Sequence, residues 1–262
     1  MTSEALRVER LDDGVVLLTL NLPERRNAMT EALTDAWATA ISDLRRDPQA
    51  RAVVVTGEGS AFCAGGDLDW LGVGSGLSVD QLRSRMLPFY RTWLSIRELE
   101  IPSIAAINGP AVGAGLALAL ACDLRYATPA AKLSAPFATL GIHAGMATSW
   151  LLPEIAGLAN ARELLLTGRA VSGDEALRMG LVNRLMDADS LRSGCLEVAA
   201  TIAAQAPVAI RLTTVALRQG HRSMADALQW EALAQPVTMA TDDVVEGLAA
   251  ARERRPPRFT GT

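Results

Sequence analysis

The chain predicts an α/β fold that gives way to a helical region, and three observations carry the prediction. Apolar runs of strand length, Val15 to Leu20, Ala52 to Thr56 and Ser103 to Ile107, alternate with stretches of helical spacing. Glycine-bearing turns separate the two kinds of segment. After about Ala188 the strand-like runs disappear and helical patterning continues alone. The expected division is 1–187 as an α/β core and 188–262 as a helical region.

Taken in order, Val15 to Leu20 follows the turn signal Asp12-Asp13-Gly14 and reads as one arm of a hairpin. Thr30 is placed to cap a helix whose apolar residues Leu33, Trp37, Ala40, Ile41 and Leu44 recur at helical spacing. Ala52 to Thr56 reads as a buried strand, broken by Gly57-Glu58-Gly59-Ser60. Gly72 to Gly76 precedes a helix expected from about Val79 to Glu98, and it reads either as a gate or as an ordinary loop. Pro102 opens the strand Ser103 to Ile107, which Asn108-Gly109-Pro110 closes. From Gly113 a short helix with Leu116, Leu118 and Leu120 is apolar on every face, which predicts burial. Beyond Ala188, one helix runs to Ala204, a second starts at Pro207, and a third is capped by Ser223.

Composition narrows the function classes. Half of the 262 residues are hydrophobic, enough for a substantial core, and the net charge of −4 offers no basic excess for nucleic acid. Lys132 is the only lysine. Cys63, Cys122 and Cys195 are widely spaced and odd in number, giving neither a metal-ligand pattern nor a disulfide framework. The longest apolar run, Leu116 to Cys122, is too short to span a bilayer, and the charged N-terminus lacks an apolar signal core. The expectation is a soluble cytoplasmic protein with no metal, no membrane and no nucleic-acid partner.

Two segments have the composition of chemistry. Ser60 to Leu68 and Asn108 to Leu116 are turns of small residues in which backbone N–H groups can meet a ligand with no side chain between. In the second, those groups stand at a helix start, where they are unpaired and the dipole favours negative charge. Two such donors converging would stabilise an enolate or thioester oxyanion. Either segment alone reads equally well as a tight turn. Gly113-Ala114-Gly115 begins like a dinucleotide fingerprint, but Leu118 stands where the third glycine belongs, and that reading fails.

The blocks Leu22 to Ala28, Phe62 to Leu68, Asn108 to Asp123, Glu163 to Gly168 and Glu175 to Asn183, with Glu246-Gly247 and Phe259 in the tail, follow one another in a specific order and spacing. On them the chain resembles the enoyl-CoA hydratase/isomerase (crotonase) family over essentially its whole length. The resemblance implies a crotonase (ClpP-like) spiral of ββα units with a C-terminal helical trimerisation region, assembled as a homotrimer or a dimer of trimers. It implies an acyl-CoA thioester as the partner, with CoA part of the substrate and no separate cofactor. It implies oxyanion donors at the N–H groups of Gly66 and Ala114, the family usually having glycine at the latter. By the same resemblance Arg26, Ala28, Ala64, Gly65, Asp67 and Leu68 line the CoA site.

The family places acid–base groups at three stations around the thioester. Here they fall at Ala117, Phe137 and Gly145, none of which ionises. Hydration needs a base for water and an acid for the α-carbon, each worth about 10²–10⁴-fold, so a fast conventional hydratase is not expected. His143, two residues from the third station, reads as a substitute proton shuttle or as a solvent-facing loop histidine. Asp67 is expected to hold the turn or CoA, Cys63 to be a small core residue, and Trp70 and Phe137 to wall the acyl pocket. Two readings stay open: isomerase-type or atypical proton transfer on an acyl-CoA, or an acyl-CoA binder that has lost its acids.

Overall fold

The computed structural model describes residues 4–67 and 76–262. Six strands form the main sheet: β1 (Leu6–Arg10), β2 (Val15–Leu20), β3 (Ala52–Gly57), β4 (Ser103–Ile107), β6 (Leu124–Ala127) and β9 (Arg184–Leu185), in that spatial order. β1 is antiparallel to β2 and is the hairpin arm the sequence reading left unassigned; every other pairing in this sheet is parallel. A smaller sheet holds β5 (Ala111–Val112), β7 (Lys132–Ser134) and β8 (Ala170–Ser172), strands too short for periodicity to reveal.

The continuous apolar runs follow from a sheet covered on both faces. Val16, Leu18, Val53 and Val55 join the large core against α1 (Glu31–Arg45) and α2 (Val79–Leu94). Their neighbours Val15, Leu17, Ala52 and Val54 face the other way, onto Leu191, Cys195 and Ala199 of the helix Ala188–Ala203. Each large apolar side chain so buried contributes about 1.5–3 kcal/mol.

Successive turns of chain repeat one plan. β4 leads to β5 and then α3 (Ala114–Ala121), and β6 leads to β7 and later the helix Thr148–Thr167. The preceding turn does the same in reduced form, β3 leading to a single parallel bridge from Cys63 to Ala111 before α2. The first strand of each turn joins the large sheet and the second joins the small one. Equivalent points of adjacent turns therefore lie side by side, and this brings the two glycine segments together.

The expected Thr30 cap is present, its side chain accepting from Leu33 N at 3.2 Å. α1 and α2 are pinned by Trp37 stacked on Trp93 at 5.0 Å, with the Trp37 indole donating to Thr92 O and that of Trp93 to Thr34 Oγ1, both at 3.1 Å. The helix expected from Val79 to Glu98 is α-helical to Leu94 and closes in a 3₁₀ turn. Past residue 203 the helices Pro207–Gln219, Met224–Met239 and Asp242–Glu253 follow. Arg218 ties the first of these to the core, pairing with Asp123 at 2.5 Å and donating to the carbonyls of Arg97 and Ile101 at 3.1 Å. Met224–Met239 buries no residue, and Met224, Leu228, Leu233 and Met239 lie exposed on it.

Candidate active site

The first glycine segment is held by two asparagines. Asn27, fully buried with φ of 57°, donates through Nδ2 to Ala61 O at 2.8 Å and Glu58 O at 3.0 Å, and accepts from Leu22 N at 2.9 Å. Asparagine is among the few residues that enter this left-handed region readily, and here its amide also satisfies the buried loop carbonyls. Asn108 braces the same loop from the other side, accepting from Gly57 N at 3.2 Å and donating to Gly59 O at 3.0 Å. Backbone bonds finish the frame: Ala64 N to Arg26 O at 2.9 Å, Met29 N to Gly65 O at 2.8 Å and Val112 N to Cys63 O at 3.0 Å.

The two segments touch so closely that only glycine fits at two points. A Cβ on Gly65 would lie 2.7 Å from Val112 O and 3.5 Å from Ala114 N, and φ there is 101°. A Cβ on Gly115 would lie 2.2 Å from Cys63 O. Among the described residues, neither the Gly66 N–H nor the Ala114 N–H reaches a protein acceptor. Ala114 is the first residue of α3, where the N–H has no intrahelical partner. Two backbone donors are thus left unpaired in adjoining turns.

Both residues line a cavity of about 270 Å³. Its other walls are largely apolar, with Met86, Phe89, Phe137, Leu140 and Met146 among them, and among the described residues no carboxylate lines it. Larger clefts lie elsewhere on the surface; one of about 830 Å³ is edged by Arg255 and Glu246, which satisfy one another at 2.6 Å. Among the described residues no group of His, Cys, Asp and Glu is arranged to hold a metal.

Of the residues singled out in the sequence, Ala28, Ala64, Gly65, Gly66, Ala114, Phe137 and His143 meet at this one cavity. Three others lie off it. Ala117 is wholly buried within α3, its methyl taken up by core packing. The Arg26 side chain is exposed, and its residue contributes the carbonyl that holds Ala64. Asp67 pairs with Arg25 at 3.0 Å, a contact that keeps the turn. Leu68 and Trp70 fall outside the described residues, as does most of Gly72 to Gly76. Cys63 is fully buried and its Sγ donates to Asn27 O at 3.0 Å; burial pushes its thiol up to about 12, so it stays protonated at neutral pH.

His143 is exposed, and its Nδ1–H donates to Ala144 O at 2.8 Å. A carbonyl only accepts, so this bond places a proton on Nδ1, and in the neutral ring the lone pair then lies on Nε2. Gly145 lies in the wall as well. A Cβ there would stand 2.7 Å from the hydroxyl oxygen of Tyr90, a residue the sequence reading passed over. Tyr90 belongs to the stripe Met86, Phe89, Tyr90, Trp93 at helical spacing, which reads as core; a phenol within such a stripe is the signal that was available.

Comparison with known proteins agrees with this architecture. The family model described as Enoyl-CoA hydratase/isomerase matches residues 10–262. The Mycobacterium tuberculosis protein designated Probable enoyl-CoA hydratase EchA14 is 45% identical over 194 residues, 74% of each chain. The mouse mitochondrial methylglutaconyl-CoA hydratase is 33% identical over 99% of this chain and 85% of its own. The crystal structure of an enoyl-CoA hydratase from Bacillus anthracis superposes with a TM-score of 0.91 at 34% identity, covering 98% of this chain and 100% of its own. A ββα spiral with a helical C-terminal region, matched along nearly its full length in sequence and in structure, makes this chain a member of the enoyl-CoA hydratase/isomerase (crotonase) family.

Proposed function

We propose that the protein binds an acyl-CoA thioester with its carbonyl oxygen between the N–H groups of Gly66 and Ala114, and that it carries out isomerase-type proton transfer on the acyl chain. The observation that carries this reading is the pair of unpartnered backbone donors on adjoining turns over an apolar cavity. Such donors are fixed before substrate arrives, so they stabilise a developing enolate with no reorganisation cost. His143, with Nε2 free to accept, is the proton acceptor of this proposal. CoA belongs to the substrate, and the chemistry calls for no added cofactor.

Double-bond migration is favoured over hydration because it needs one proton removed and one returned, whereas hydration also needs an activated water. Alanine and phenylalanine stand at 117 and 137, where the family resemblance puts the hydratase glutamates. A second reading, a binder without catalysis, draws on the lack of any carboxylate among the described residues of the cavity wall. The exposed apolar side chains of Met224–Met239, with Val245 and Leu248 beyond, support assembly into a trimer or a dimer of trimers.

Mass spectrometry on 2-enoyl-, 3-enoyl- and saturated acyl-CoAs incubated in D₂O tests the proposal. Deuterium gained at carbon identifies isomerisation or enolisation, and a mass increase of one water identifies hydration. Gly66→Pro removes a donor N–H and is expected to lower turnover by about 10²–10³-fold. Retention of the esters with no isotope incorporation would favour the binder.

A further inference from the structure

We infer that the Tyr90 hydroxyl delivers a proton to the acyl chain at the carbon remote from the thioester, while His143 takes one from the carbon beside it. The inference rests on the acyl-CoA reading above and assigns the second half of its proton transfer, which neither the family resemblance nor the station residues supply.

Four observations lead to it. Tyr90 lines the cavity from α2, and among the described residues its hydroxyl has no hydrogen-bond partner. A half-buried phenol left unpaired in an apolar wall is positioned for a group that arrives with the ligand. Second, the hydroxyl stands where a side chain at 145 would begin, since a Cβ on Gly145 would be 2.7 Å from Oη and 3.1 Å from Cζ. The glycine that empties the third acid–base station makes room for the phenol. Third, burial raises the pKa of Tyr90 and so keeps the proton on oxygen at neutral pH, which suits a donor and not an acceptor. Fourth, His143 is exposed whereas Tyr90 is half-buried. The CoA moiety is far too large for about 270 Å³ and stays on the solvent side. In this inference the chain enters past His143 and extends toward Tyr90.

On a 3-enoyl thioester the step balances as follows. The C2–H bond breaks, its proton goes to Nε2 of His143, and its electron pair forms C1=C2 as the carbonyl π pair moves onto oxygen between Gly66 and Ala114. The oxygen pair then re-forms the carbonyl, C1=C2 becomes C2=C3, and the C3=C4 pair takes the proton from Tyr90. The product is the 2-enoyl thioester, with an imidazolium and a phenolate on the protein. Solvent water at the exposed His143 returns the proton from one to the other, restoring both groups.

The test is Tyr90→Phe in D₂O with a 3-enoyl-CoA, reading deuterium separately at C2 and C4 by NMR. Wild-type protein is expected to deuterate both positions. The variant is expected to lose C4 deuteration by about 10²-fold or more while keeping exchange at C2. Retention of a saturated acyl-CoA and an unchanged far-UV spectrum show that the variant is folded. Gly145→Ala, which pushes a methyl into the space of the hydroxyl, is expected to lower C4 deuteration part of the way. Unchanged C4 deuteration in Tyr90→Phe, or equal loss at both carbons, overturns the assignment to Tyr90 alone. Wild-type protein that deuterates neither carbon overturns the catalytic reading, and this inference with it.

Discussion

The two sides of the cavity are built on opposite principles. The side holding Gly66 and Ala114 is backbone: its groups are fixed by Asn27, by Asn108 and by bonds between adjacent turns of the spiral. The side formed by α2 and the loop from Phe137 to Met146 is made of side chains, and there Leu140, Ile142 and His143 are all exposed. The contrast teaches where change is tolerated. A backbone donor survives a glycine-to-alanine exchange at 114, because the N–H persists. An acid–base group vanishes with a single substitution, and neither Phe137 nor Gly145 on that side ionises.

If that contrast is real, disturbing the backbone side harms the whole molecule while disturbing the other harms chemistry alone. The largest effect is expected from Gly115→Ala, whose methyl would meet Cys63 O at 2.2 Å. It should destabilise the fold by about 1–3 kcal/mol or more and release acyl-CoA, read by thermal melting and ester retention. A variant as stable and as retentive as wild type would break the comparison. His143→Ala should cut deuterium exchange by about tenfold or more with no change in melting temperature, since the side chain is exposed and among the described residues bonds its neighbour's carbonyl alone. Full retention of exchange would place the base elsewhere. The smallest effect concerns Cys63. With its thiol pushed up to about 12 and wholly buried, it should resist alkylation at pH 8 until the protein is unfolded; peptide mapping after iodoacetamide reads this. Rapid labelling in the native state would show the first turn opening, contrary to a rigid backbone side.

The same division decides what was legible in the sequence. Val15 to Leu20, Ala52 to Thr56 and Ser103 to Ile107 announce themselves because strands covered on both faces are apolar throughout. The two glycine turns are legible because close backbone approach demands small residues. β5, β7 and β8 are two or three residues long and leave no periodic trace. Asn27 stands in the block Leu22 to Ala28, yet its bracing of residues 31 and 34 positions away depends on contacts that no local pattern encodes. The family resemblance put an acid–base station at Ala117, but a methyl on that turn of α3 ends in the core. Tyr90 was missed because its stripe matches a buried helix face, and it is the glycine at 145, directly against it, that gives its hydroxyl a setting.

The claim on which the rest depends is that Gly66 and Ala114 together grip the thioester oxygen. Isotope-edited infrared spectroscopy of an acyl-CoA carrying ¹³C at the thioester carbonyl reads that grip directly. Two preorganised donors should move the bound carbonyl stretch to lower frequency than in water, and folded Gly66→Pro should return much of that shift. A carbonyl that keeps its aqueous frequency when bound to the wild-type protein would contradict the account.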